Sequence, residues 1–243
     1  MMFSSNNIFI VTGSTSGIGR KLVYTLNSLN ASVIAICRNI DKANEVFCDI
    51  EHPENLFIEK KNLTEDIDKL PEFIFSLKDK YGKIDGMICC AGIADVCPLR
   101  CLDIDNIKML FDLNFYVPLF LAKGFVDKRI NKGNDSSLVL VSSTSAITND
   151  KGLISYASSK AAVNSAYKCI AKEIQKSGLR VNVISPSDVD TPMLQSMKDA
   201  GKLVNDSVEV LQPEDVVNFI IFLLSENSKA INCQNYIIGK GNF

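Results

Sequence analysis

At 243 residues and 47% hydrophobic side chains, the chain can bury a sizeable core as one large α/β domain or two small ones. A formal net charge of −2 with no long basic run gives no support for a nucleic-acid partner, and no apolar run approaches the ~18 residues of a membrane span. The single histidine, His52, lies in a polar segment before Pro53, so most Ser-His-Asp hydrolase mechanisms and most zinc sites are removed from consideration.

The N-terminus, Met1-Met2-Phe3-Ser4-Ser5-Asn6-Asn7, lacks the basic and long apolar regions of a signal peptide, which predicts a cytoplasmic chain. A β-rich run, 7–12, then leads through glycines into a helical pattern carried by Leu22, Val23, Leu26 and Leu29. A second strand covers 32–37, a short helix 41–48 and a third strand 55–60. The next helix is predicted over 64–80, capped by Thr64 with acids in its first turn. A strand over 84–90 precedes one long helix or two across 103–131, where Pro118 marks a place to bend. A strand over 138–142, a helix over 153–177 closed by Gly178, a strand over 181–185, a helix over 213–225 and a strand over 235–238 complete the chain. The stretch 188–212 reads as a lid-like loop with at most one short helix.

Strands that alternate with helices pair in parallel through right-handed crossovers. Almost wholly apolar strands fit a sheet covered on both faces. With no repeat or linker, residues 1–243 read as one doubly wound α/β domain, a Rossmann-type parallel sheet with helices on both sides. In a cytosolic chain the eight cysteines are reduced. Cys89 and Cys90 are adjacent, and Cys97 and Cys101 are four apart with no second pair, so the spacing does not read as a metal site.

The turn Gly13-Ser14-Thr15-Ser16-Gly17-Ile18-Gly19 joins the first strand to the first helix. Its glycines let the backbone turn sharply, and the helix N-terminus behind it offers free N–H groups to a pyrophosphate. Far downstream, Tyr156 and Lys160 share one helical face. An ammonium beside a phenol favours the phenolate, so this pair predicts a tyrosine pKa below its usual value of about 10. Arg38 follows the second strand where an acid would select the ribose of NAD; a guanidinium suits the 2′-phosphate of NADP. NADP(H) is therefore favoured over NAD(H).

Thr-Gly-x-x-x-Gly-x-Gly at 12–19 followed by Tyr-x-x-x-Lys at 156–160 resembles the single-domain branch of the short-chain dehydrogenase/reductase family, over nearly the whole chain. The resemblance implies that Tyr156 exchanges a proton with a substrate oxygen and that Ser143, thirteen residues earlier, orients that oxygen. It implies that Lys160 tunes Tyr156 and binds the nicotinamide ribose, and that Asn114 holds a water on the proton path to Lys160. Ser142 is adjacent and, one step along a strand, should point the other way. The resemblance also places cofactor contacts at Asn62 and Leu63 beside the adenine, at Cys90, Ala91 and Gly92, and at Pro186, Val189 and Thr191 around the carboxamide.

Four departures from the family pattern stand out. Cys89-Cys90 replaces two asparagines, Asn62 an aspartate and Ser187 a glycine, and the ending 239–243 differs from the usual Asp-Gly-Gly. The implied ligand is a small carbonyl or alcohol with an apolar part, facing Leu153, Ile154 and a lid carrying Met193, Leu194, Met197, Leu203 and Val204. The implied assembly is a homodimer or homotetramer, with Phe111, Phe115, Tyr116, Phe120 and Tyr167 serving either the interface or the core. Three readings follow: an NADP(H)-dependent carbonyl reductase or alcohol dehydrogenase, an NAD(H)-dependent dehydrogenase, and a non-catalytic dinucleotide sensor.

Overall fold

A computed structural model describes residues 2–199 and 209–239. Seven parallel strands form one sheet: β1 (Ile8–Thr12), β2 (Ser32–Cys37), β3 (Leu56–Lys60), β4 (Gly86–Cys89), β5 (Ser137–Val141), β6 (Arg180–Pro186) and β7 (Asn235–Ile238). Their order is β3-β2-β1-β4-β5-β6-β7. The chain leaves β1 toward β2 and β3, then returns to β4 on the other side, which makes a switch point between β1 and β4. In such sheets the carboxyl ends flanking that point form a ligand crevice.

Side chains alternate between the two faces as period two requires. Phe9 and Val11 of β1 and Val33 and Ala35 of β2 join a core with α1 (Gly17–Ser28), α2 (Ile40–Val46) and α9 (Pro213–Leu224). Ile10, Ile34 and Ile36 point the other way, onto α3 (Leu70–Tyr81), α5 (Val117–Phe125) and α7 (Ile154–Glu173). Three further helices are α4 (Ile104–Phe111), α6 (Ser145–Thr148) and α8 (Pro192–Asp199).

Two helix expectations are corrected. Thr64 caps nothing: its hydroxyl is spent on Asn62 Oδ1 at 3.1 Å, and Asp66 sits left-handed at φ 53°, so the chain turns before α3 begins at Leu70. The segment 103–131 holds two helices, as one of the two alternatives had it, but the break between them does not fall at Pro118. A π-helical turn, Asp112–Tyr116, separates α4 from α5, and Pro118 sits in the first turn of α5, where it costs no hydrogen bond. Helix α5 stops at Phe125, whose carbonyl accepts from Asn131 Nδ2 at 2.7 Å. Helix α7 ends at Glu173, and a short 3₁₀ turn reaches Gly178, which adopts φ 77° as a chain-reversing residue should. The expected lid contains α8. Leu203 and Val204, like Lys240–Phe243, fall outside the described residues.

Candidate active site

The carboxyl ends of β1, β4, β5 and β6 meet α7 and α8 around a cavity of about 610 Å³. Its floor near β1 is the glycine turn. Gly13 has φ 65°, and a Cβ there would lie 2.9 Å from the Ala91 backbone, so only glycine lets β1 and β4 approach this closely. Thr12 ties the same two strands together by accepting from the Ala91 N–H at 3.1 Å. Helix α1 starts at Gly17 with no side-chain cap and no acid in its first turn. Its free N–H groups and positive dipole end therefore remain available to an anion. Ser16, Gly17, Ile18 and Gly19 line the cavity.

Ser14 and Thr15 do not line it. Ser14 is fully buried and donates to the Ile36 carbonyl at 2.8 Å, so its side chain braces the turn against β2. Arg38 and Asn62 lie beyond the rim, at the ends of β2 and β3. Arg38 is exposed and bonds to no described residue. Asn62 spends its amide locally, donating to Glu65 at 2.8 Å and accepting from Thr64. Leu63 packs into the core and presents no side chain to the cavity.

At the opposite end, Ser143, Tyr156 and Lys160 converge on the cavity. The two adjacent serines diverge: Ser142 donates to the Lys160 carbonyl at 3.2 Å and pins α7 to β5, while the Ser143 hydroxyl lies on the cavity side, near enough to the Tyr156 hydroxyl to act on it. Ser143 Oγ also accepts from the Ser145 N–H at 3.1 Å, which fixes its position. Lys160 is buried, and its ammonium donates to the Val141 carbonyl at 2.9 Å, 5.9 Å from the centre of the Tyr156 ring.

The electrostatics differ from the sequence expectation. Burial pushes the Tyr156 pKa above its usual value; the neighbouring Ser143 hydroxyl pulls it back and the Asp188 charge pushes it further up. Lys160 does not lower it, because the ammonium is turned to Val141 and burial brings the lysine itself down to about 8. Burial also raises Cys90, at the cavity wall, to about 12, so this thiol stays protonated at neutral pH.

Asn114 sits in the π-helical turn, 1% exposed. Its Oδ1 accepts from the Ile93 N–H at 2.9 Å, and its Nδ2 donates to the Ile93 carbonyl at 2.8 Å and to Ser159 Oγ at 3.1 Å. A Cβ built on Gly92 would stand 3.2 Å from Asn114 Oδ1 and 3.4 Å from Lys160 Nζ, so both residues close on Gly92. Ser159 was not singled out by sequence. It donates to the Tyr156 carbonyl at 2.7 Å and links Asn114 to the helix carrying Tyr156. Its place one residue before Lys160, on the inward face of α7, was the available signal.

The segment after β6 closes the cavity. Pro186 ends the strand, and its carbonyl accepts from the Thr144 N–H at 3.0 Å. Val189 bridges to Leu211, and Thr191 packs its methyl against Gly17 while its hydroxyl turns to the Val189 carbonyl at 3.2 Å. Met193, Leu194 and Met197 of α8 form an apolar flank, with Val96 and Leu153 also lining the cavity. The oligomer candidates divide: Tyr167 is core at 3% exposure, Phe115 and Phe120 pack against the core, and Tyr116 is 43% exposed.

A doubly wound sheet with a glycine turn and a Ser-Tyr-Lys cluster at its switch-point crevice defines a Rossmann-type oxidoreductase. A sequence model of the short chain dehydrogenase family matches residues 7–202, and the chain belongs to the short-chain dehydrogenase/reductase family. It is 31% identical to an L-xylulose reductase of Caenorhabditis elegans, over 90% of this chain and 88% of that one. It is 25% identical to a vibriobactin-specific 2,3-dihydro-2,3-dihydroxybenzoate dehydrogenase of Vibrio cholerae, over 97% and 95%. Among solved structures, a short-chain dehydrogenase/reductase of Brucella melitensis superposes with a TM-score of 0.88 at 19% identity, covering 98% of this chain and 96% of that one. Among the described residues no helix is long and apolar enough to cross a membrane.

Proposed function

We propose that this chain is an NADP(H)-dependent oxidoreductase that interconverts a carbonyl and a secondary alcohol, with Tyr156 as the general acid and base. The observation that carries the reading is the convergence of Ser143, Tyr156 and Lys160 on a cavity whose far end is the uncapped, acid-free start of α1. That anion-accepting end and the narrow Gly13–Ala91 approach fit a dinucleotide pyrophosphate. Thr191, Val189 and Pro186 would then hold the nicotinamide end, and the exposed Arg38 would be the residue to meet a 2′-phosphate. Bound NADPH supplies the hydride that a carbonyl carbon accepts. Ser143 hydrogen-bonds the carbonyl oxygen, and Tyr156 gives it a proton. Lys160, with a pKa of about 8, is charged at neutral pH yet close enough to titration to return that proton.

The raised Tyr156 pKa keeps the phenol protonated near neutrality, the form that donates a proton in reduction. Oxidation needs the phenolate and is expected to rise with pH. The reading takes residues 1–243 as one domain whose lid is 188–212. We further propose a homodimer or homotetramer, supported by exposed Ile104, Met109 and Tyr116 along α4 and the π-helical turn; solution scattering giving a monomer mass would refute it. The enzymatic reading is tested by NADPH oxidation across a panel of ketones, with Tyr156→Phe as the control. NADPH-dependent turnover that Tyr156→Phe abolishes is the expected result. Turnover retained in that variant would remove Tyr156 from the chemistry.

A further inference from the structure

Two consecutive side chains of the segment after β6 have no bonding partner although both line the catalytic cavity. The Ser187 hydroxyl oxygen is fully buried and unpaired. The carboxylate of Asp188, half-buried beside it, makes no hydrogen bond or ion pair with a described residue, while the Asp188 carbonyl accepts from the Leu211 N–H at 2.8 Å. An unpaired carboxylate partly withdrawn from water loses some of its solvation, and that loss is relieved when a cation or donor reaches it. Asp188 lies close enough to Tyr156 to act on its hydroxyl electrostatically. A second carboxylate, Asp150, comes to the same cavity from the loop before α7 and adds to the negative potential at Asp188. Among the described residues, the positive groups nearby leave that potential standing. Lys198 exerts the weakest of the three influences on Asp188, Lys151 is exposed at the rim, and Lys160 is bound to the Val141 carbonyl. The opposite flank, Met193, Leu194 and Met197, is apolar.

We propose that Asp188, backed by Asp150, selects a carbonyl substrate that carries a cationic amine, seating the ammonium against the carboxylate while the carbonyl faces Tyr156 and the hydrocarbon faces α8. This rests on the oxidoreductase reading and names its substrate class. A charge-assisted hydrogen bond to a half-buried carboxylate accounts for about ten-fold in affinity.

The test compares N-methyl-4-piperidone, mostly cationic at neutral pH, with its neutral isostere 4-methylcyclohexanone, using protein saturated with NADPH. The kcat/KM ratio of cationic to neutral ketone is expected to be about ten or more, and to collapse in Asp188→Asn through KM. A ratio of one or below, or a ratio that survives Asp188→Asn, overturns the proposal. Ligand-observed NMR with N-methylpiperidine, which cannot react, separates the two claims. If neither ketone turns over but the amine binds and loses binding in Asp188→Asn, the redox reading fails and the cation site stands. If the neutral ketone turns over and the amine does not bind, the redox reading stands and the cation site fails. If there is neither turnover nor amine binding, both fail.

Discussion

Behind Tyr156 the side chains that position its helix are bonded to one another, whereas around Arg38 and Asn62 the surface is open and locally self-satisfied. Ser142, Ser143, Ser159, Asn114 and Lys160 bind one another's backbones or neighbours at 2.7–3.2 Å and lock α7, β5 and the π-helical turn together. Arg38 by contrast bonds to no described residue, and the Asn62 amide is consumed within its own turn. The difference separates two jobs. Proton transfer needs groups held in place before the substrate arrives; discrimination of a phosphate needs only a charge within reach of it. The first job is therefore sensitive to single atoms, and the second is retunable from the surface.

The largest effect is expected at the wired end. Tyr156→Phe should lower turnover by about 10²–10⁴-fold while NADPH affinity changes little, measured by steady-state kinetics beside a binding titration. At the open end, Arg38→Asp should shift the NADPH-to-NADH preference by about 10–100-fold toward NADH, as expected for loss of a charge-assisted contact and gain of a repulsive one. An unchanged preference would take Arg38 out of cofactor choice.

Lys160→Met tests how much the wired end sacrifices for function. Burial lowers the lysine pKa from 10.5 to about 8, so the folded state disfavours the charged form. The unfolded chain holds that proton more tightly, so native stability rises with pH between about 8 and 10.5 and the burden is full below 8. The variant should lose turnover yet gain about 1–3 kcal/mol at neutral pH in urea unfolding, after allowing for the lost bond to Val141. A destabilised variant would mean that the ammonium contact outweighs burial. The smallest effect is expected for Asn62→Ala, a change of less than about three-fold in cofactor affinity, because its bonds lie inside its own turn.

Much of this was legible in the chain. The six-residue apolar run 32–37 is β2 to the residue, and Gly13 and Gly178 adopt the left-handed conformations their positions called for. Ser143, Tyr156 and Lys160 do share one cavity. What was not legible depends on tertiary contact. Hydrophobic spacing cannot reveal the π-helical turn that brings Asn114 to Ile93, because a one-residue shift in bonding leaves the apolar period intact over so short a span. Thr64 has the chemistry of a cap, and only the left-handed Asp66 after it shows why it does not act as one. The i, i+4 spacing of Tyr156 and Lys160 predicted a lowered phenol pKa; it could not show that the ammonium turns to Val141 and that burial then dominates.

The most direct measurement is a fluorescence titration of the wild-type protein with NADPH and, separately, with NADH. The account predicts saturable binding of both, with NADPH tighter by about ten-fold or more. Binding of neither would contradict the assignment of the glycine turn and of the Ser143–Tyr156–Lys160 cavity as a dinucleotide-dependent active site.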